Sequence, residues 1–92
     1  MKKINVGVVG IGSLGQHHFR IYHSMNDLVN LVAVADIDGN KLEKYKKLYP
    51  DIYFTTDFKK ILDKVDAISL VVPTSLHYKI AKEILHAKKH LL

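Results

Sequence analysis

The sequence predicts an α/β domain: a three-layer, doubly wound parallel sheet of about five strands in the order 3-2-1-4-5. Three observations predict it. Short, β-branched apolar runs recur along the whole chain, at residues 4–9, 28–35, 52–55 and 67–72. Between them, apolar residues fall at helical spacing. The connections are only two to five residues long. Strict alternation with short connections implies parallel strands joined by right-handed crossovers, with helices on both faces of the sheet.

Each element has its own sequence signal. Residues 4–9 stop at Gly10, as suits a strand covered on both faces. From Ser13 the period changes, and Leu14, His18, Ile21, Tyr22 and Met25 form one helical stripe. Asn26-Asp27 marks a turn before the second strand, which ends at Asp36. Asp38 then offers a carboxylate to cap a helix with Leu42, Tyr45 and Tyr49 inward, and Pro50 follows its end. After a short third strand, Thr56 or Asp57 caps a brief helix with Phe58, Ile61, Leu62 and Val65 on one side. The fourth strand closes at Pro73, which cannot extend a central ladder. Thr74 or Ser75 caps the last helix, whose stripe is Leu76, Ile80, Ala81, Ile84 and Leu85. His90-Leu91-Leu92 reads as the start of a fifth strand.

Ninety-two residues suit a single domain, here 1–92, and leave no room for a second core. The chain is 48% hydrophobic and 25% charged, an ordinary globular mixture. Without cysteine it has no disulfide framework and no thiolate metal site. No apolar run approaches the roughly 20 residues that span a bilayer, and Met1-Lys2-Lys3 leads into a strand rather than a signal-peptide core. The expectation is a cytoplasmic protein with no membrane partner. The net charge of +5 comes from lysines spread over several helices, with Arg20 the lone arginine. Base readout favours arginine, and single-stranded RNA favours aromatic platforms, so the charge reads as solvated helix faces and no nucleic-acid partner is expected. Six histidines do not make a metal site: His17 and His18 diverge by about 100° on a helix, and the helix ends between His86 and His90.

The chemistry lies in Gly10-Ile11-Gly12-Ser13-Leu14-Gly15. A lone G-x-G-x-x-G is a weak signal, but this one leaves a strand and opens a helix. Gly10 permits the tight turn, Gly12 lets a pyrophosphate approach the backbone, and Gly15 lets the helix pack closely. Amides at the helix start then face an anion. The bland alternative is a glycine-rich turn that binds nothing. Asp36 weighs against it, standing 21 residues beyond Gly15, near the ~20 expected of the acid that receives an adenosine ribose. A carboxylate accepts from two hydroxyls and repels a 2′-phosphate, so NAD is expected over NADP, with Lys41 the residue that would meet a phosphate. The loop Val71-Val72-Pro73-Thr74-Ser75-Leu76-His77 would face the glycine turn across the switch-point crevice. It reads equally well as a strand end with a proline stop and a helix cap.

Together these segments resemble one family. The glycine turn running into Gln16-His17-His18, then Asp36-Ile37-Asp38, then Val72-Pro73-Thr74-Ser75-Leu76-His77, then Ala87-Lys88-Lys89-His90-Leu91-Leu92 is similar to the Gfo/Idh/MocA oxidoreductases, in order and over essentially the whole chain. The likeness is strongest to members acting on sugars, nucleotide sugars and inositols. It implies a Rossmann-like fold and a hydride exchanged between a nicotinamide and such a substrate. It also implies a cofactor set of Gly10, Ile11, Gly12, Ser13, Leu14, Gly15, Asp36, Ile37, Val72, Pro73, Thr74 and His77, with Pro73, Thr74 and His77 towards the nicotinamide. In full-length members the segment matching 90–92 runs into a Glu-Lys-Pro motif with a catalytic lysine, followed by a substrate domain; neither is in these 92 residues. The resemblance therefore implies a truncated chain that binds a dinucleotide without turnover and has no catalytic residue of its own. Sugar or polyol would be a partner only of a full-length parent. The rival readings are a stand-alone nucleotide-binding regulatory module and a chain without a ligand. An uncovered sheet edge near Leu91-Leu92 adds an expectation of self-association.

Overall fold

β1 (Ile4–Val9) pairs with a parallel neighbour on each side, β2 (Val29–Ala35) and β4 (Ala67–Leu70). β3 (Tyr53–Thr55) extends the sheet beyond β2, and β5 (His90–Leu91) extends it beyond β4. The order is β3-β2-β1-β4-β5, all parallel, as the alternating pattern predicts. The computed structural model describes residues 3–25, 27–72 and 74–91; the side chains of Ser13, Leu14, Thr74 and Ser75 also lie outside the description.

Three α-helices, α1 (Ser13–Ser24), α2 (Gly39–Leu48) and α3 (Thr74–His86), and a 3₁₀ turn at Phe58–Ile61 complete the chain. Successive strand side chains point to opposite faces, so the sheet separates two cores. Val8, Val34 and Phe54 join Ile11, Phe19 and Leu42 beneath α1 and α2. Val9, Ala33, Ala35, Ile68 and Leu70 join Ile61, Val65, Ile80 and Ile84 beneath the 3₁₀ turn and α3. This is the three-layer arrangement. Asp38 caps α2 as expected, accepting from the Asn40 amide, and of the two candidates Thr56 and Asp57 it is Asp57 that caps the 3₁₀ turn, accepting from the Lys59 amide, each at 3.0 Å.

Several details differ from the sequence pattern. The central residue of α1 is Phe19, fully buried and edge-on to Tyr45 and Tyr49, whereas Ile21 is exposed. The two are about 200° apart on a helix, and the larger ring takes the core side, where its burial contributes about 1.5–3 kcal/mol. Leu85 likewise leaves the stripe, because Leu76, Ile80 and Ile84 already fill the inner face of α3 at i, i+4 steps. β2 begins at Val29 with Leu28 exposed, and β4 ends at Leu70 rather than running on to Val72. β2 also carries an irregularity: Val6 pairs with Leu31 but Gly7 with Ala33. The extra residue, Val32, reverses the face of everything after it and thereby sets the faces of Val34 and Ala35.

Candidate dinucleotide-binding site

Three backbone hydrogen bonds continue the ladder past the strand ends and build the floor of the site. Gly10 donates to the Ala35 carbonyl at 2.7 Å, Asp36 to Thr55 at 3.1 Å, and Val71 to Val9 at 2.8 Å. The carboxyl ends of β1, β2, β3 and β4 are thus fastened side by side, where an open α/β sheet receives its ligands. Above them lies a cleft of about 560 Å³. Its walls include Gly10, Gly12, Gly15, Asp36 and Ile37 on one side, and Val71, Val72, Leu76 and Ile80 on the other.

Packing among the described residues explains two of the three glycines. Gly10 has φ +97°, and a Cβ there would stand 1.9 Å from the Val71 carbonyl oxygen. At Gly15 a Cβ would stand 1.9 Å from the Gly10 carbonyl oxygen, so helix and turn touch directly. At Gly12 a Cβ would meet nothing within 4 Å among the described residues. No described neighbour demands glycine there; its missing side chain widens the cleft beside the start of α1. That start has Gly12 as its cap, with no side chain closing its amides, whereas the Asp38 side chain caps α2. Free amides at a helix N-terminus, beside a glycine that leaves room, fit a pyrophosphate.

Asp36 is the charged centre of the site. Its Oδ2 accepts the Ile11 amide at 2.7 Å, and its Oδ1 accepts the Asp38 amide at 2.8 Å. A carboxylate has about four lone-pair positions, so one remains on each oxygen for a further donor. That pair suits two neighbouring hydroxyls. Ile37 follows it with 80% of its surface exposed, an apolar side chain held out over the cleft wall.

The structure brings Gly10, Gly12, Gly15, Asp36, Ile37 and Val72 of the expected set onto one cleft. Ile11 contributes its amide only, since its side chain is fully buried in the core under α1. Ser13, Leu14 and Thr74 lie in the first turns of α1 and α3, their side chains outside the described residues, as is Pro73 altogether. His77 is exposed on α3 and does not line the cleft. Sequence reasoning missed Thr56 and Phe58, which close the cleft beyond β3. Their signal was positional: they lie just after β3, the strand next to the one that leads into Asp36. Asp38 and Lys41 complete that side. Among the described residues, no three His, Asp or Glu side chains gather as a metal site would require, and no helix is long and apolar enough to cross a membrane.

Comparisons with known proteins agree with this geometry. Relatives include an uncharacterized oxidoreductase, YrbE, of Bacillus subtilis, 30% identical over 98% of this chain and 27% of that protein. A UDP-N-acetylglucosamine 3-dehydrogenase of Acidithiobacillus ferrooxidans is 29% identical over all of this chain and 28% of its own length. Among solved structures, scyllo-inositol dehydrogenase of Lactobacillus casei with bound NAD(H) and scyllo-inositol superposes with a TM-score of 0.87 at 27% identity, covering 98% of this chain and 27% of that one. This chain spans little more than a quarter of the length of these proteins. Residues 4–92 match the Gfo/Idh/MocA family, described as an oxidoreductase family with an NAD-binding Rossmann fold, and the chain belongs to that family as an NAD-binding Rossmann domain.

Proposed function

We propose that residues 1–92 form one cofactor-binding domain whose cleft holds NAD in preference to NADP. The whole protein would pass a hydride between that cofactor and a hydroxyl-bearing carbon of a sugar, nucleotide sugar or polyol. The observation that carries the cofactor preference is Asp36, which keeps one free lone-pair position on each oxygen while two backbone amides hold it in place. The amides opening α1 would take the pyrophosphate beside Gly12, and Asp36 the adenosine ribose hydroxyls. A 2′-phosphate would bring negative charge against the same carboxylate. Ile37 offers an apolar surface to the adenine. Pro73, Thr74 and His77 keep the role towards the nicotinamide that the family resemblance implies. When bound, the nicotinamide supplies the hydride chemistry; this chain binds and orients it. The substrate class rests on the relatives, which include a nucleotide-sugar dehydrogenase and an inositol dehydrogenase. The groups that bind substrate and move its proton would come from sequence outside these 92 residues.

Isothermal titration of the folded chain with NAD, NADH and NADPH tests the cofactor reading. Binding of NAD and NADH with weaker NADPH is expected, and no heat with any of the three overturns it. Dehydrogenase turnover by these 92 residues with any polyol would overturn the assignment of catalysis elsewhere. We also propose self-association through β5, which among the described residues pairs with β4 on one side only. A concentration-independent monomer in sedimentation would refute that. A cytoplasmic location completes the proposal, supported by a sequence without cysteine and checked by cell fractionation.

A further inference from the structure

One side-chain contact joins the two walls of the cleft from behind. The Nδ1 of His18, on α1, lies 3.2 Å from the Oγ of Ser69, on β4, across 51 residues of sequence. Ser69 is 2% exposed and is the buried polar residue among the described side chains of the core. Its neighbours Ile68 and Leu70 point into the core under α3, so Ser69 faces the α1 side. A buried hydroxyl is costly without a partner, and an alanine or valine would fit a central strand more cheaply. A hydrogen bond, unlike an apolar contact, fixes direction as well as distance.

The placement gives that direction a use. Gly10, at the end of β1, packs so closely against the Val71 carbonyl that no Cβ fits between them. Gly15 packs equally closely on Gly10. Those contacts hold the start of α1 against the end of β4, while Phe19 packs the helix against Tyr45 and Tyr49. His18 stands three residues beyond Gly15, and Ser69 two residues before Val71. The pair therefore supplies a second point of attachment between the same helix and the same strand. These two attachments to β4, together with buried Phe19, set how α1 lies on the sheet, and with it the aim of the α1 amides across the cleft towards Val71 and Val72.

We infer that His18 and Ser69 are positioning residues for dinucleotide binding: their hydrogen bond holds α1 against β4 so that its N-terminal amides meet the pyrophosphate. This rests on the dinucleotide reading of the cleft. The two residues touch no ligand and act through the helix.

The test measures NAD affinity by titration and amide hydrogen exchange in the free protein, on folded samples of the 92-residue chain. Ser69→Ala, nearly isosteric, and His18→Ala should each weaken NAD about tenfold, the scale of one directional hydrogen bond. The double variant should be no weaker than either single one, because both remove the same bond. His18→Asn places an amide at the level of Nδ1 and should recover affinity to within about threefold of the original, whereas His18→Gln, reaching the level of Nε2, should not. Exchange of the Ile11 amide should quicken in both alanine variants relative to amides of β1. The inference is overturned if either folded alanine variant binds NAD as the original does, or if His18→Asn binds no better than His18→Ala. A chain that binds no NAD but whose Ile11 amide quickens in Ser69→Ala would refute the proposed function while leaving the positioning role intact. Unchanged exchange in that case refutes both.

Discussion

The Asp36 carboxylate accepts the backbone amide of Ile11 at 2.7 Å, so the residue that would receive the ribose also holds the glycine turn in shape. Its other oxygen accepts the Asp38 amide. One side chain thereby ties the end of β2 to the turn after β1 and to the start of α2.

This double engagement changes what a substitution at position 36 should do. Asp36→Asn retains the size but replaces one acceptor oxygen with a donor, which faces an amide that also donates. Charge-assisted hydrogen bonds contribute about 1.5–3 kcal/mol each, so NAD affinity should fall by tenfold or more. NADPH affinity should not rise in exchange, because the turn itself loosens. Titration with both cofactors checks this, and a clean switch to NADPH would show that Asp36 acts on the ribose alone.

Gly10 and Gly12 should part company when each is changed to alanine. Gly10→Ala meets the Val71 carbonyl at a positive φ, and should cost about 3 kcal/mol or more of stability. Gly12→Ala meets no atom of the described residues within 4 Å and should leave the melting temperature nearly unchanged while lowering NAD affinity. Thermal melts and titrations on the same samples decide it. Equal destabilisation by both would show that Gly12 is structural.

The end of α3 offers a stabilising change. Lys88 has φ 60°, where its amide donates to the Leu85 carbonyl at 3.0 Å and the Lys89 amide to Ile84 at 3.3 Å. This left-handed closing residue is a place for glycine. Lys88→Gly should stabilise the chain by about 0.5–1 kcal/mol in urea unfolding.

Alkaline stability should report on Tyr45. Burial among Phe19, Tyr49 and Phe54 raises its hydroxyl above the ordinary value of 10.0; Arg20 opposes the rise and Tyr49 adds to it. The unfolded chain then loses that proton first, so this contribution is complete below pH 10 and is lost as pH rises through the folded value. Tyr45→Phe should lose less stability than the original between neutral pH and the region above 10. Urea midpoints across that range measure the difference.

The sequence by itself determined the alternation of elements, the strand order, the glycine turn and the acid beyond it. These are local signals: a change of period, a cap, a proline, a spacing. They also placed Asp38 as a cap and narrowed the next one to Thr56 or Asp57, because a cap needs only the next two residues. What only the tertiary structure decided depends on contacts between distant segments. The register shift at Val32 sets the faces of the residues leading to Asp36, and apolar alternation cannot reveal it when both faces are buried. The choice of Phe19 over Ile21 as the anchor of α1 required Tyr45 and Tyr49 to be in place. Thr56 and Phe58 joined the cleft because β3 lies next to β2. His18 read as one more member of a helical stripe until Ser69, fifty-one residues away, came within 3.2 Å of it. A hydrogen bond between residues so far apart leaves no mark in the local pattern of either, since its geometry exists only once helix and strand have packed.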